Sequence, residues 1–269
     1  MFSFGTSNVL WKLPQAHFDV FKIITIRSII TATLIGILML NLNNYQGELN
    51  DWLIAIAISL VSFLGLAFYN LSIKLSTVSQ SITITSAGAI FGVLTSVFVY
   101  NEKLSWQIIV SLILIVIGLF LLENKKPLLS WPKGAFYAIL ASFFWGTTFA
   151  LFRIPAQSIG SINFSFVLEC SVLFSATLVV LFIKPKTIAK KPNIKSYLTI
   201  IAIACLGVLG VVFYNKAVTI VNVSVLSVMG AFTPVISIVI SHFVLKERFK
   251  FHQYLGMTLT LLAVLLLII

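Results

Sequence analysis

Apolar residues run along this chain in blocks of about twenty, and short polar or charged stretches separate the blocks. Segments such as SLILIVIGLFLL, residues 111–122, show no alternation of apolar and polar positions, which argues against the strands of a membrane β-barrel. Helical blocks of this length can cross a hydrocarbon layer about 30 Å thick. The pattern therefore predicts an all-α polytopic membrane protein.

Turn and charge signals divide the sequence into ten predicted helices. Their approximate bounds are 2–13, 20–42, 52–75, 77–100, 107–122, 135–154, 162–183, 197–220, 222–245 and 253–269. Prolines such as Pro14 and Pro155 fall at segment ends, where a missing amide hydrogen costs little. Pro234 alone lies inside a segment, and we expect it to kink the ninth helix and to free a backbone carbonyl.

The first predicted helix is short for a membrane span. A helix from Met1 to Leu13 covers roughly 20 Å at 1.5 Å per residue, which is less than the hydrocarbon layer. We therefore expect a truncated first helix, with the natural start upstream of Met1. The alternative is that one half-helix is missing.

Composition supports the membrane assignment. Charged residues make up 9% of the chain and hydrophobic residues 59%, whereas about 25% of the residues of a soluble domain are charged. The net charge of +11 arises mostly in short loops between apolar blocks, where basic residues set membrane orientation, and no nucleic-acid-binding motif accompanies it. Because these residues follow the odd-numbered helices, the positive-inside rule predicts that both termini lie outside the cell.

Two stretches with a Phe-Tyr-Asn core reveal an internal repeat. AFYNLSIKL, residues 67–75, and VFYNKAVTI, residues 212–220, align at an offset of 145, since 213 − 68 = 145. The same offset places Gly65 on Gly210 and Glu102 on Glu247. FGTSNVLWKLP, from Phe4, matches WGTTFALFRIP, from residue 145, at a slightly different offset.

The repeat predicts two five-helix units, residues 1–125 and residues 134–269. Because five is odd, the second unit must enter the membrane from the opposite side. The sequence therefore predicts about ten transmembrane helices in an inverted repeat. This architecture is typical of alternating-access transporters, whose substrate site lies between the two units.

The two units, each with a WGT-like element in its first helix and an acidic residue closing its fourth, resemble the EamA-type carriers of the drug/metabolite transporter superfamily. The resemblance covers essentially the whole chain. It implies ten transmembrane helices and transport of small metabolites, often export, with substrates that range from amino acids to drugs. The sequence departs from the family pattern at Asn101 and Lys246, where the family usually has glycine. Ala89 replaces the expected counterpart of Pro234, so we expect any helix kink to be asymmetric.

Polar residues inside apolar blocks are costly in lipid and are usually functional. Arg27 and Glu169 hold matching places in the second and seventh helices. They are expected to form a structural pair, to extend toward an interface, or to line a cavity, where Glu169 is also a candidate for proton coupling. A direct contact cannot be derived, because an inverted repeat places the two residues at different depths.

Further polar and aromatic positions complete the predicted substrate cavity. The repeated Tyr-Asn pairs are expected either to line it or to form interhelical hydrogen bonds worth about 0.6 kcal/mol. The tryptophans are expected to line or gate it, with a position at the lipid interface as the alternative. The predicted cavity residues are Trp11, Arg27, Tyr69, Asn70, Gln80, Thr83, Trp145, Glu169, Tyr214, Asn215 and Ser227.

Two other pairs are predicted to have structural roles. Glu102 and Glu247 each precede a predicted helix, whose positive end favours a carboxylate. Gly88 and Gly92 form a GxxxG pair, which permits close helix contact and keeps a homodimer open as an alternative.

These observations favour a secondary transporter that moves a small amino acid-like or drug-like metabolite by alternating access, with export as the expected direction. The sequence has no Walker A motif, so we expect no ATP hydrolysis. It also has no clustered acids, histidines or cysteines, so we expect no enzyme activity, metal or cofactor. The expected partners are a small-molecule substrate and the lipid bilayer of a bacterial inner membrane, with no nucleic acid. The alternatives are a membrane enzyme of lipid-group transfer and a non-transporting scaffold.

Overall fold

The computed structural model of the protein describes residues 1–42, 46–122, 133–183, 191–245 and 250–267. Within these ranges the chain forms thirteen α-helices and one short 3-10 turn at Pro14–Ala16, and no strand. The helices before residue 123 are α1 (Phe2–Leu10), α2 (Val20–Leu42), α3 (Leu49–Leu75), α4 (Val78–Ser86), α5 (Gly88–Tyr100) and α6 (Trp106–Leu122). The helices after residue 132 are α7 (Lys133–Leu151), α8 (Arg153–Ser158), α9 (Ser161–Ile183), α10 (Ile194–Ala217), α11 (Val223–Gly230), α12 (Thr233–Leu245) and α13 (Phe251–Leu266).

Seven helical segments in the described ranges are long and apolar enough to cross a membrane, by length and composition. They are Val20–Leu42, Leu49–Leu75, Gln80–Tyr100, Lys133–Ser158, Ser161–Ile183, Ile194–Ala217 and Val223–Val244. Helices α6 and α13 are apolar but shorter, and α1 has only nine residues, as expected for a short first helix. The prediction of an all-α, multi-pass membrane protein is confirmed.

Polar caps explain why two helices begin earlier than the apolar pattern predicts. The backbone amide of Glu48 donates to the carboxylate of Asp51 at 2.9 Å in a capping box, so α3 starts at Leu49 rather than Trp52. The amide of Ser196 donates to the Asn193 side chain at 2.9 Å and fixes the first turn of α10. These first turns are polar, and hydrophobic periodicity does not detect them.

The ninth predicted helix is interrupted between α11 and α12, as expected from Pro234. This proline is the second residue of α12 and lies in its first turn, where the missing amide leaves no helical bond unmade. The fourth predicted helix is interrupted as well, at Ala87, so the expectation of an asymmetric kink is wrong. The Ala87 amide donates to the Ile84 carbonyl at 3.1 Å in a tightened turn, and the following Gly88 packs directly on the backbone of α7.

The sixth predicted helix does not end at Pro155, which corrects that boundary. Helix α7 ends at Leu151, and after Phe152 the chain continues as α8 to Ser158. Pro155 is the third residue of α8, so it again occupies a first turn, where proline is tolerated. Proline at this position starts a short helix rather than stopping one.

Two pairs of helices, each with one helix from either part of the chain, are packed through equivalent contacts. A Cβ on Gly65 of α3 would overlap the Trp145 ring of α7, and a Cβ on Gly210 of α10 would overlap the Phe4 ring of α1. The internal repeat aligns Gly65 with Gly210 and Trp145 with Phe4. Each contact is therefore the counterpart of the other with the two parts interchanged.

A second reciprocal pair of contacts involves the interrupted helices. A Cβ on Gly146 would meet the backbone of Gly88 and the side chain of Phe91, whereas a Cβ on Gly5 would meet the backbone of Thr233 and the side chain of Ile236. The offset of 145 aligns Gly88 with Thr233 and Phe91 with Ile236. The close contact expected for the GxxxG pair is confirmed inside the chain, since Gly92 also packs against Ser227.

Replacement of Gly146 by alanine should destabilise the protein by about 1–3 kcal/mol, because a methyl group there would push apart the backbones of α7 and α5. The matched control is Gly230→Ala, where the nearest heavy atom to the added carbon lies 3.8 Å away. Thermal unfolding in detergent measures both. Equal melting temperatures for the two variants would contradict the packing described above.

Candidate functional site

A cavity of about 190 Å³ lies between α1, α2, α3, α7, α9 and α10, and the interrupted helices α4/α5 and α11/α12 also contribute to its wall. At about 15 Å³ of such space per water molecule, it has room for on the order of ten waters. Of the predicted site residues, those that line the cavity are Trp11, Arg27, Tyr69, Trp145, Glu169, Tyr214, Asn215 and Ser227. Asn70, Gln80 and Thr83 are not among the lining residues.

Aromatic rings from both parts of the chain form one side of the cavity. The Trp145 ring lies 5.0 Å from the Tyr69 ring and 5.7 Å from the Phe149 ring, between ring centroids. Phe149 in turn lies 5.2 Å from Tyr214 and 6.4 Å from Phe4. These spacings fall in the favourable range for aromatic pairs. The result is a rigid apolar surface suited to the body of an amphipathic solute.

Arg27 and Glu169 form a bidentate ion pair on the wall of the cavity. Arg27 Nη1 and Nη2 donate to the two Glu169 oxygens at 2.7 and 2.8 Å, and the Thr31 hydroxyl adds a third bond at 2.7 Å. Both charged residues are buried, with exposed fractions of 7% and 2%. The pair joins α2 to α9, which pack directly on each other in opposite directions, since Gly36 meets Phe166 beyond the ion pair.

A glycine of α10 makes room for the guanidinium. A Cβ on Gly207 would lie 2.6 Å from Arg27 Nη2 and 3.3 Å from Arg27 Nε. Arg27 Nε is buried and makes no hydrogen bond within the described part of the chain. The guanidinium therefore lies directly against the backbone of α10. One of its donors, Nε, stays unused within the described chain.

The repeated Tyr-Asn pairs have different surroundings. The Tyr214 hydroxyl donates to the Phe149 carbonyl at 3.2 Å, and Asn215 Nδ2 donates to the Ser165 hydroxyl at 2.9 Å. The Tyr69 hydroxyl and Asn215 Oδ1 are buried and have no hydrogen-bond partner among the described residues. Together with Arg27, three residues of the cavity wall therefore carry buried polar atoms without a partner in the described chain, and such atoms are costly unless a ligand or water bonds them.

Asn70, Gln80 and Thr83 lie outside the cavity wall. Asn70 donates to the Leu66 carbonyl of its own helix at 3.0 Å, and its side-chain oxygen accepts from Gln15 of the 3-10 turn at 3.4 Å. The second bond joins two elements and corresponds to the alternative to cavity lining. Gln80 lies half-buried in the first turn of α4. The Thr83 hydroxyl is buried without a hydrogen-bond partner in the described chain, next to the lining residue Ile82.

Several lining residues were not predicted. The internal repeat could have identified Phe4, because it aligns with the predicted residue Trp145. Gly207 and Leu66 carry no comparable signal, since their roles depend on which helices are neighbours. In the described part of the chain, no group of three or more His, Cys, Asp or Glu residues could hold a metal ion.

Glu102 stabilises a different helix from the one predicted. Its carboxylate accepts the backbone amides of Val223 and Ser224 at 2.9 Å each, the Ser224 hydroxyl at 2.6 Å, and Arg153 Nη1 at 3.1 Å. Glu102 therefore caps α11 in the second part of the chain and not the following helix α6. The first turn of α6 is instead bonded by Ser105. Glu247 lies outside the described residues.

Asn101 directs Glu102 toward α11. Its backbone is left-handed, with φ of 53°, and its amide donates to the Ser96 carbonyl at the end of α5. Asparagine tolerates this conformation better than most residues, although glycine adopts it most readily. The position therefore explains why the family pattern has glycine there. Lys246, the second departure from that pattern, lies outside the described residues.

Long apolar helices around a largely apolar cavity, with polar groups contributed by both parts of the chain, are typical of a membrane transporter. Comparisons with known proteins agree with this class. The model of the EamA-like transporter family matches residues 1–123 and 132–269, so the chain belongs to that family, and the resemblance found in the sequence is confirmed.

The chain is also similar to an individual relative and to a solved structure. An uncharacterized transporter of Archaeoglobus fulgidus is 26% identical over 244 residues, which cover 86% of this chain and 82% of the relative. The crystal structure of a protein with 16% sequence identity is similar over 98% of this chain and 94% of the other, with a TM-score of 0.77. This second likeness concerns the fold alone.

Replacement of Glu102 by glutamine should destabilise the protein by about 2 kcal/mol near neutral pH, because it weakens charge-assisted bonds to α11 and Arg153. Burial alone would raise the pKa of Glu102, but the bonds from Ser224, Val223 and Arg153 outweigh it and the pKa is lowered. The carboxylate's contribution is therefore complete above the ordinary glutamate pKa of about 4.3 and is lost as the pH falls through the lower, folded value.

Thermal unfolding of the wild type and of Glu102→Gln at several pH values tests this. The difference in melting temperature should shrink toward zero in strong acid. Lys103→Gln, a charge change at the exposed neighbouring residue, is the control and should show little effect at any pH. A difference for Glu102→Gln that does not depend on pH would contradict the expected role of the carboxylate.

Proposed function

We propose that the protein is a secondary transporter that moves a small amino acid-like or drug-like metabolite across the membrane by alternating access, in the direction of export. The observation that carries this proposal is the cavity between the two parts of the chain, whose wall contains both an aromatic surface and a buried ion pair. Such a combination accommodates a solute with an apolar body and a polar group.

We propose that the chain is an inverted repeat of two five-helix units, residues 1–125 and 134–269, with ten transmembrane helices. The reciprocal glycine contacts support it, because they are related by exchange of the two units. The opposite directions of α2 and α9, which are the second helices of the two units, support it as well. In this arrangement α4/α5 and α11/α12 are the fourth helices, and both are interrupted beside the cavity, as is common in alternating-access transporters.

We further propose that the protein lies in a bacterial inner membrane with both termini outside the cell, in accord with the distribution of Lys and Arg among the loops. The proposed substrate site consists of the predicted residues that line the cavity, which are Trp11, Arg27, Tyr69, Trp145, Glu169, Tyr214, Asn215 and Ser227. A substrate or proton gradient would supply the energy, since the sequence has no Walker A motif. The chain has seven acidic residues, and no acidic cluster among the described residues favours the alternative of a lipid-group transferase.

A bulky side chain inside the cavity should abolish transport. Leu66→Trp places a larger side chain on the cavity wall, where it occupies part of the cavity. Leu64→Trp places the same side chain at an exposed position two residues away on α3. Flux of a metabolite panel in proteoliposomes should fall to background for Leu66→Trp and remain near the wild-type rate for Leu64→Trp. If the wild type moves no solute, the transporter proposal fails. If Leu66→Trp transports normally, the site lies elsewhere.

The inverted arrangement predicts that equivalent loops lie on opposite sides of the membrane. Single cysteines at Gln46, before α3, and at Lys191, before α10, test this in a background without Cys170 and Cys205. A membrane-impermeant thiol reagent added to intact cells should label one position and not the other. Labelling of both positions from the same side would exclude the inverted repeat.

A further inference from the structure

The two members of the ion pair on the cavity wall differ in whether they can lose their charge. In the closed pair, Arg27 and Glu169 cancel each other's charge, and they are the charged side chains among the lining residues. A charge left unpaired in such a site is costly, so a solute that separates the pair must leave the site neutral again. A zwitterionic solute can do this by pairing with both residues. For a solute that carries a single charge, the outcome depends on which of the two residues can lose its own charge.

Glutamate can lose its charge by taking up a proton, but arginine cannot lose its own, because its pKa lies above about 12. An anionic solute that replaces Glu169 on Arg27 leaves a carboxylate that a single proton neutralises. A cationic solute that replaces Arg27 on Glu169 leaves a guanidinium that nothing in the site neutralises. The pair therefore admits an anion together with a proton and excludes a cation.

Resting on the proposed transport function, we propose that Arg27 binds the anionic group of a monoanionic solute and that Glu169 carries one proton with it across the membrane. Because a bacterial proton gradient favours inward movement of protons, export coupled in this way is driven by the outward gradient of the solute. On the entry side a proton from water adds to a Glu169 oxygen, and the solute's oxygens take the place of the carboxylate on Arg27 Nη1 and Nη2. On the exit side the proton returns to water and the ion pair closes again. The charge of the site is the same before, during and after this exchange.

The surroundings of the pair support the exchange. The Arg27 guanidinium lies against the backbone of Gly207, and its Nε has no hydrogen-bond partner among the described residues, so it can meet another anion in its present position. Thr31 bonds Glu169 independently of Arg27 and remains as a partner for the neutral carboxyl group. The apolar body of the solute would lie against the aromatic surface that contains Trp145 and Phe149.

Few other titratable groups face Glu169. Of the helices packed against α9, α2 contributes Arg27, and α3 and α10 contribute the phenols of Tyr69 and Tyr214 to the same cavity. From α8, Arg153 is bound to Glu102 at 3.1 Å. The neighbouring residue on α9 itself is the thiol-bearing Cys170. Glu169 is therefore the carboxylate available to accept the proton.

Two permanently charged probes of similar size test the proposal in proteoliposomes that contain an internal pH dye. Benzenesulfonate is the anion and phenyltrimethylammonium the cation, and neither can cross as a neutral species. We expect uptake of the anion to exceed that of the cation by at least about tenfold. The interior should acidify by about one proton per anion, and a potassium diffusion potential should leave the initial rate unchanged, because the loaded and empty sites are both neutral.

Glu169→Gln separates this role from a structural one. The variant should still take up benzenesulfonate but without acidification, and its uptake should become sensitive to membrane potential, because the empty site now carries the Arg27 charge. A purely structural pair would lower the amount of folded protein and leave the proton count per anion unchanged. Arg27→Gln/Glu169→Gln restores neutrality without an anion-binding group and should transport no benzenesulfonate.

Three results would overturn the proposal, and the wild type alone can give each of them. They are uptake of phenyltrimethylammonium at the rate of the anion, uptake of benzenesulfonate without proton movement, and transport confined to neutral or zwitterionic solutes. In the last case the proposed transport function stands while the anion–proton inference fails. If neither probe nor any panel solute moves, the transport function itself fails.

Discussion

Direct contact between helix backbones is the constraint on which the rest of this structure depends. In lipid, apolar side chains gain little by turning away from the solvent, so helices associate through close packing and polar contacts. Here the backbones meet where side chains are missing: Gly146 lies on Gly88, and Gly5 lies on the backbone of Thr233. These contacts bring the first helices of the two parts against the interrupted helices and thereby set the dimensions of the cavity between them.

The sequence predicted most helices, since each lipid-facing block must be long and apolar. It also predicted the interruption at Pro234, where the cause is covalent. It did not predict the interruption at Ala87, because that break depends on the approach of α7, a contact distant in the chain. The starts of α3 and α10 were placed too late for a related reason, since caps such as Asn193 are polar and follow no hydrophobic period.

The sequence identified several residues of the candidate site but not the contacts between them. Buried charges in apolar blocks identified Arg27 and Glu169, but their contact depends on the packing of α2 on α9, which no local pattern contains. Asn70 shows the converse, because its repeated motif matched that of Asn215 while its neighbours differ. Glu102 was assigned to the nearest helix in sequence, whereas its partner helix is the nearest in space.

The carboxylate of Glu102 has a mechanical consequence for the whole molecule. Four hydrogen bonds attach the turn after α5 both to the start of α11 and to the start of α8. Separation of these three segments would break all four bonds at once. These bonds therefore hold the three segments together at this end of the molecule. Bending of the helix bundle is easier at the interrupted helices, where the backbone already lacks continuous helical bonding. When the bundle bends in this way, the distance between its helices increases most at the end farthest from Glu102.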